Sequence, residues 1–494
     1  MNYALTSSEA KEIDNFTIKN FTPSIELMEK AGNQIFSYIE KYFDHYRNFL
    51  IVVGKGNNGG DGYVVARLLQ ENGYNVEVYE QDLIKTNDGL INKNLYKGNY
   101  CKEITQKDNL VIIDAIFGIG LDKEIKETYY SLIEKLNNLN AYKISIDVPS
   151  GINSTTGELL SVAFKADVTL TLGEYKIGLF LNEGKDYAGK IVKLDIGLKL
   201  NNSSYIRILD KSDFKDVLFI RKENSNKGTY GKVSLLGGSR KTPGALELST
   251  QAYITLKLNV GYSLMAFPNK SKELYDLTKP ELIYCPLSSK INGSIKFKKK
   301  EILSFLDSKT IVIGMGIGIS KDVYKLIRFL LKNYQGNLLI DADGLNSIAK
   351  YGVEKLQNHR CNLVLTPHLK EFSRLINKTV LEIKKDRINL TKSFATKYNL
   401  TLLLKDNSSL IVSNNECYLN INGNSGLAKA GSGDILAGIL GGVIDNKNFT
   451  KSIAFGSYLL GRSADLAKES GVLEFEMVGS DVIKNINNAY KEIK

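Results

Sequence analysis

Residues 49–62 read F-L-I-V-V-G-K-G-N-N-G-G-D-G. Five apolar residues in a row, Phe49 to Val53, mark a strand buried on both faces, as strands of parallel sheets are. The glycine-rich turn Gly54 to Gly62 leads into a helical pattern with Val64, Val65, Leu68 and Leu69 inward, ended by Gly73. Val76 to Tyr79 is the next strand. Strand, glycine loop, helix and strand form the dinucleotide-binding arrangement, and Gly54, Gly56 and Gly59 fit G-x-G-x-x-G. On that spacing alone an NAD-dependent oxidoreductase fits, with Glu80 near the place of a ribose-binding acid. The polar loop members argue otherwise. Asn57, Asn58 and Asp61 put side chains where a dinucleotide loop offers bare backbone. No Walker lysine follows, so the loop is not a P-loop.

Towards the N-terminus, residues 6–43 read as two helices, the first capped by Ser7 or Ser8 and the second opened by Pro23-Ser24. Towards the C-terminus, Leu110 to Ile113 runs into D-A-I-F-G-I-G-L (114–121), and Ile144 to Ile146 runs into D-V-P-S-G (147–151). Ligands of open α/β sheets bind beyond the carboxyl ends of the strands, so these ends and the Gly54 loop should meet at one crevice. Asp114 and Asp147 are therefore candidates for chemistry or ion binding, or else caps of their turns.

At 494 residues the chain exceeds a single core, and two or three domains are expected. Its 43% hydrophobic and 24% charged residues are those of a soluble globular protein. The net charge of +11 is spread along the chain with no basic-aromatic block, so nucleic acid is not an expected partner. Cys101, Cys285, Cys361 and Cys417 are scattered, without disulfide or zinc spacing. Neither a signal peptide nor a run of membrane-spanning length is present, so no membrane is expected and the cytoplasm is the default location.

Residues 199–225 read as a linker, with Asn201, Asn202, Ser203 and Ser204 ahead of a charged stretch. Beyond it K-G-T-Y-G-K-V-S-L-L-G-G-S (227–239) is a strand into a glycine turn, and T-P-G-A-L-E-L-S starts a helix. Strands then alternate with helices and end in G-M-G-I-G, D-A-D-G-L-N, T-P-H-L-K-E and Lys405-Asp406, the layout of a second doubly wound domain. The stretch 426–434, G-L-A-K-A-G-S-G-D, sits on the N-terminus of an apolar helix, where free N–H groups favour an anion. Asp434 opposes that preference. It is either a base beside a transferring phosphoryl group or a carboxylate that complements the helix dipole.

The Gly54–Gly62 loop, D-A-I-F-G-I-G-L and S-I-D-V-P-S-G, with L-M-E-K-A-G (27–32) and G-K-D-Y-A-G-K (184–190), resemble the epimerase domain of NAD(P)H-hydrate repair enzymes over residues 1–210. T-P-G-A, G-M-G-I-G, D-A-D-G-L-N, T-P-H-x-x-E and G-L-A-x-A-G-S-G-D, in that order, resemble the ribokinase-like ADP-dependent NAD(P)H-hydrate dehydratases over residues 225–494. The chain has Lys30 and Lys429 where the families commonly have Asn and Thr. The resemblance implies a Rossmann-like three-layer α/β/α domain fused to a ribokinase-like α/β domain. It implies epimerisation of the R and S forms of NADHX and NADPHX, then ADP-dependent dehydration of the S form.

By the same resemblance, the hydrate in the first domain meets Asn57, Asn58, Gly59, Gly60, Asp61, Gly118, Ile119, Gly120, Leu121, Asp122, Lys123 and Glu124, with Asp147 moving the proton. Asn58, Asp114 and Ser150 match a potassium site, and oxygen-only ligands suit a hard cation. In the second domain Asp434 is the base, and Gly318, His368, Leu369, Lys370, Glu371, Phe372, Ser373 and Arg374 hold the hydrate. ADP, with Mg²⁺, would lie on Lys405, Asp406, Asn407, Ser408, Ser409, Asn424, Ser425, Gly426, Leu427, Ala428, Lys429, Ala430, Gly431, Ser432 and Gly433. A homo-oligomer is expected. The rivals are an oxidoreductase fused to a vitamin or sugar kinase, and an idle nucleotide sensor.

Overall fold

The computed structural model of the chain describes residues 2–201, 204–219, 221–256 and 260–494. These divide into two compact units, Asn2–Ile206 and Arg207–Lys494. Asn202 and Ser203 of the expected linker lie outside the described residues. Ile220 lies outside them too, and parts of the described remainder of 199–225 carry structure of their own. Arg207 and Ile208 pair with Tyr418 and Leu419, and Phe214, in the 3₁₀ turn Lys211–Val217, is fully buried against Phe455 and Tyr458. An aromatic ring that buries so much apolar surface anchors this stretch to the second unit.

In the first unit seven strands form one parallel sheet. Their order across it is Asn99–Tyr100, Asn75–Glu80, Asn48–Val53, Leu110–Ala115, Tyr142–Ile146, Val168–Leu172, Lys190–Leu194. The apolar run 49–53 is the central strand, buried along its length, as a strand covered on both faces must be. The helix Asn57–Glu71 covers it and already begins inside the glycine stretch. The expected loop is thus only three residues long, Gly54 to Gly56. Packing demands this: a Cβ on Gly54 would lie 2.0 Å from the Ile116 carbonyl oxygen, and one on Gly59 2.1 Å from the Gly54 oxygen. The N-terminal helix Ser7–Asn20 is capped by Thr6 rather than by Ser7 or Ser8. Thr6 Oγ1 accepts from the Glu9 amide while the Glu9 carboxylate accepts from the Thr6 amide, a reciprocal capping box. Ser7 is spent elsewhere, with its hydroxyl on the Ile119 carbonyl at 2.6 Å and its amide on Thr155 at 2.8 Å. Those two bonds fix the helix to the carboxyl-end loops of the sheet.

In the second unit the order is Ile283–Leu287, Tyr262–Pro268, Lys232–Leu236, Thr310–Ile313, Asn337–Ile340, Asn362–Leu365, Thr401–Leu404, all parallel, and then the antiparallel Ser409–Val412 and Cys417–Asn420. The helix Ser432–Val443 is buried from Ile435 to Val443, which is why its sequence is apolar all round. It packs on the helix Pro243–Leu256 closely enough that a Cβ on Gly438 would lie 2.0 Å from the Ser249 oxygen. Among the described residues, no helix is long and apolar enough to cross a membrane.

Candidate active sites

The carboxyl ends of the first sheet open onto a cleft of about 720 Å³. Asn57, Asn58 and Asp61 reach it from the first turns of their helix, Gly118 to Lys123 from the loop after Leu110–Ala115, and Asp147 from the end of Tyr142–Ile146. Gly59 and Gly60 turn away, against Gly54 and Met28, and Glu124 is exposed outside the cleft wall.

Asp147 takes a left-handed backbone, φ 68°, directly after its strand. Its Oδ1 accepts from Lys176 Nζ at 2.5 Å, the Leu172 amide at 3.1 Å and Thr171 Oγ1 at 3.3 Å. Lys176 is itself buried and also donates to the Leu172 carbonyl at 2.6 Å. Oδ2 has no hydrogen-bond partner among the described residues. The carboxylate is therefore held by one oxygen with the other available. Asp61 is fully buried beside it, and burial, then Asp147 and Asp14, push its carboxyl well above the usual range. Asp14, on the helix Ser7–Asn20, lines the same cleft, and burial pushes it up to about 6, with Lys176 opposing and Asp147 adding.

Asp114 lies within its strand, fully buried. Its oxygens accept from Ser150 Oγ at 2.6 Å, the Ser150 amide at 2.8 Å, Ser145 Oγ at 3.1 Å and the Ile116 amide at 3.2 Å. Burial still pushes it up to about 6 against those bonds. Asn58 lies against Gly118, whose Cβ would sit 3.5 Å from Asn58 Oδ1, and its buried Nδ2 has no partner. An amide's two ends are interchangeable in assignment, and an unsatisfied buried end is what a cation or water completes. The set Asn58, Asp114 and Ser150 fits a hard monovalent cation.

Glu80 is not free to take a ribose. Its carboxylate accepts from Tyr63 Oη at 2.8 Å and from Lys93 Nζ at 2.5 and 2.7 Å.

In the second unit one cation gathers the strand ends. Lys405, after Thr401–Leu404, donates to Asp341 Oδ1 at 2.7 Å, and Asp341 follows Asn337–Ile340. A Cβ on Gly433, in the first turn of the helix Ser432–Val443, would lie 3.3 Å from Lys405 Nζ, so that turn passes close to the ammonium. Gly431 caps the helix Ser432–Val443 at φ 99°, a conformation glycine adopts without strain. In that helix's first turn Asp434 is pushed up to about 7 by burial and by Asp341, with Lys405 opposing. Burial lowers the Lys405 pKa, but Asp341, Glu371 and Asp434 outweigh it and hold Lys405 above the usual lysine range.

His368 caps the helix Leu369–Ile376, its Nδ1 accepting from the Lys370 and Glu371 amides. Burial and Lys405 lower its pKa, in keeping with a neutral ring. Glu371 is buried, and its Oε2 accepts from the His368 amide. Phe372 packs into the core on Phe394, so its ring offers nothing to a ligand. Leu369 is half-buried, Lys370 is exposed, Ser373 donates to the Lys378 carbonyl, and Arg374 donates to Asn346 Oδ1 at 2.6 Å. The Gly318 amide donates to Asp343 Oδ2 at 2.9 Å.

Around the nucleotide stretch, Asp406 pairs with the buried Arg387 at 2.5 Å, and Ser425 donates to Glu474. Asn424 accepts from the Gly426 amide, and the Ser408 hydroxyl is buried without a partner. Lys429 donates to the Phe475 carbonyl at 2.7 Å. Lys30 is exposed on the helix Ser24–Phe43, away from any helix end.

Each half of the chain matches a known family. Residues 233–488 match the family model of NAD(P)H-hydrate dehydratase, and residues 24–178 that of the YjeF-related protein N-terminus. The bifunctional NAD(P)H-hydrate repair enzyme of Dictyoglomus turgidum is 34% identical, the alignment covering 99% of this chain and 98% of that protein. The chain belongs to the bifunctional NAD(P)H-hydrate repair enzymes. The family member from Thermofilum pendens is 30% identical over 94% of this chain and 91% of its own length. A solved ADP/ATP-dependent NAD(P)H-hydrate dehydratase from Bacillus subtilis, co-crystallised with ATP and Mg²⁺, aligns with 58% of this chain and 99% of its own at 24% identity, TM-score 0.49. Membership, with the engaged Glu80, sets aside the oxidoreductase–kinase fusion.

Three site residues escape sequence reasoning. Asp14 looks like one more polar residue on an amphipathic helix. Lys176 carries a legible signal, since a lysine joined to the apolar run Ile177 to Phe180 has little surface to reach. Asp341 is visible in D-A-D-G-L-N, but its pairing with Lys405 is not.

Proposed function

We propose that the unit Asn2–Ile206 interconverts the R and S forms of NADHX and NADPHX, and that the unit Arg207–Lys494 dehydrates the S form to NADH or NADPH at the expense of ADP. The observation that carries this is Asp434: a carboxyl pushed up to about 7, in the first helical turn next to Gly433, which lies against Lys405. A base in the wall of an anion hole suits a hydroxyl that is to receive a phosphoryl group.

Hydroxide leaves poorly from C6 of the hydrated ring, whereas phosphate leaves well. Asp434 takes the C6 hydroxyl proton as the oxygen attacks the terminal phosphorus of ADP. The Gly431–Gly433 amides and Lys405 stabilise the charge on the transferring group. The ring nitrogen's electron pair then expels phosphate and the double bond returns. Mg²⁺, if bound with the nucleotide, would supply charge neutralisation at its phosphates. In the first unit Asp147 takes and returns a proton at the C6 hydroxyl. K⁺ on Asn58, Asp114 and Ser150 would brace the Phe117–Gly118 loop, since Ser150 Oγ already accepts from the Phe117 amide at 2.9 Å. The enzyme acts on small molecules in the cytoplasm as a homo-oligomer, without nucleic acid or membrane.

Acid-prepared NADH hydrate, given to the full chain with ADP and Mg²⁺, should regain NADH absorbance from both epimers. Without nucleotide the epimers should interconvert and no NADH should appear. Recovery limited to the S epimer, with R untouched beyond its spontaneous rate, overturns the first half. No recovery from either overturns the second.

A further inference from the structure

The cleft of the first unit holds more acid than one proton transfer needs. Asp14 and Asp61 line it together with Asp147. Lys176 is committed to Asp147 and the Leu172 carbonyl. Neither Asp14 nor Asp61 makes a side-chain hydrogen bond to any described residue. Asp61 is buried and Asp14 half-buried, and both face the cleft without a partner among the described residues, so both are open to a ligand. Asp14 comes from a helix pinned by Ser7 to the Ile119 carbonyl and to Thr155, which ties its position to the loops that carry the substrate-facing residues.

The chemistry asks for a second proton carrier. C6 of the hydrated ring bears its hydroxyl next to the ring nitrogen, so it is a hemiaminal carbon. Inverting it without exchanging the oxygen requires the ring to open. The hydroxyl loses its proton, C6–N1 breaks as C6=O forms, and the released electron pair on N1 takes up a proton. The open aldehyde turns about C5–C6, N1 attacks the other face, and both protons return. Atoms and charges balance with no co-reactant. A base alone would leave the departing nitrogen as an anion.

We propose, on the epimerase reading above, that Asp14 is a second catalytic residue: it gives N1 its proton as Asp147 removes the one on the hydroxyl. Asp14 suits the role better than Asp61. An acid that must give and recover a proton each cycle needs access to the open cleft: Asp14 is half-buried on its wall and pushed up to about 6, whereas Asp61 is buried.

The test uses the full chain and a single pure epimer, with interconversion followed by chromatography and ADP-dependent NADH recovery from the S epimer measured on the same preparation. Asp14→Asn is expected to lower the epimerisation kcat by roughly two orders of magnitude, with KM changed only a few-fold. Asp14→Glu should recover part of the rate, and NADH recovery should stay normal and thereby report a folded chain. In water enriched in oxygen-18 the wild-type product should retain its original oxygen. Wild-type activity with an undiminished Asp14→Asn rate overturns the assignment, as does a collapse confined to Asp61→Asn. Label uptake at the rate of inversion overturns the ring opening. A wild-type chain that does not epimerise at all overturns the reading on which the assignment rests.

Discussion

Asp147 has a lysine nearly to itself, whereas Asp434 shares Lys405 with Asp341 and Glu371. Both are carboxylates at the carboxyl edge of a parallel sheet and both are assigned to lift a proton from a C6 hydroxyl. In the first unit the ammonium touches the carboxylate directly and holds it by one oxygen. In the second, Asp341 takes the direct contact with Lys405 at 2.7 Å, and burial, then Asp341, push Asp434 up to about 7. One proton is borrowed and returned while a neutral ring opens; the other leaves an alcohol that must become a nucleophile toward phosphorus. An anchored carboxylate suits the first task, and one pushed up towards neutrality suits the second. One type of side chain thus serves two reactions through its burial and the charges set around it.

The sharpest break in this comparison is Asp434→Asn. It should lower NADH recovery with ADP by roughly two to four orders of magnitude while epimerisation continues, both read on one preparation. If Asp434 served only the helix dipole, turnover would stay near normal. ADP affinity by calorimetry should hold or tighten, because a negative charge beside the phosphates is gone. Next is Lys176→Met, which keeps length and removes the charge. Epimerisation should fall by about a hundredfold through loss of orientation of Asp147, with dehydration intact as the check on folding.

The anchoring of Asp147 is also where the sequence was least legible. Residues 49–53 and the strand-end motifs announced both sheets, because a buried parallel strand must be apolar throughout and its end must turn. Asp114, Asp147 and Asp434 were legible for the same reason: each stands where a strand or helix terminus meets a glycine. Asp14 stands inside an ordinary amphipathic stretch, and although the apolar run after Lys176 hints that this lysine is buried, only the fold brings either to Asp147. Thr6 displaced Ser7 and Ser8 as a cap because Ser7 was drawn to Ile119 and Thr155, contacts that are distant in the chain.

The pH dependence separates the two bases further. Asp434 must be ionised to act, so dehydration should rise with pH through about 7 and be lost below it. Asp341→Asn removes the largest neighbouring negative charge and frees Lys405, and the midpoint of the saturated rate should move to lower pH. A midpoint that stays put or rises would show that Asp341 does not set the basicity of Asp434. The same raised pKa makes a stability statement. The ionised carboxyl is disfavoured in the folded chain, so this group's contribution is greatest below the unfolded value of 3.8 and is lost as pH rises through about 7. Asp434→Asn should therefore melt no lower than wild type at pH 8, with any advantage fading towards pH 4. The smallest effect should be that of Lys429→Thr, which removes one exposed bond to the Phe475 carbonyl and should change ADP affinity no more than a few-fold.

The left-handed backbone at Asp147, φ 68°, is one that asparagine accepts nearly as well as aspartate. The codons of the two residues differ by a single transition. One base change in the gene therefore leaves the backbone unstrained but takes from the buried Lys176 its carboxylate partner, while the dehydrating unit keeps its own core. The mark of such an allele is metabolic: R epimer that builds up at the pace of spontaneous hydration and drains only as fast as it inverts unaided.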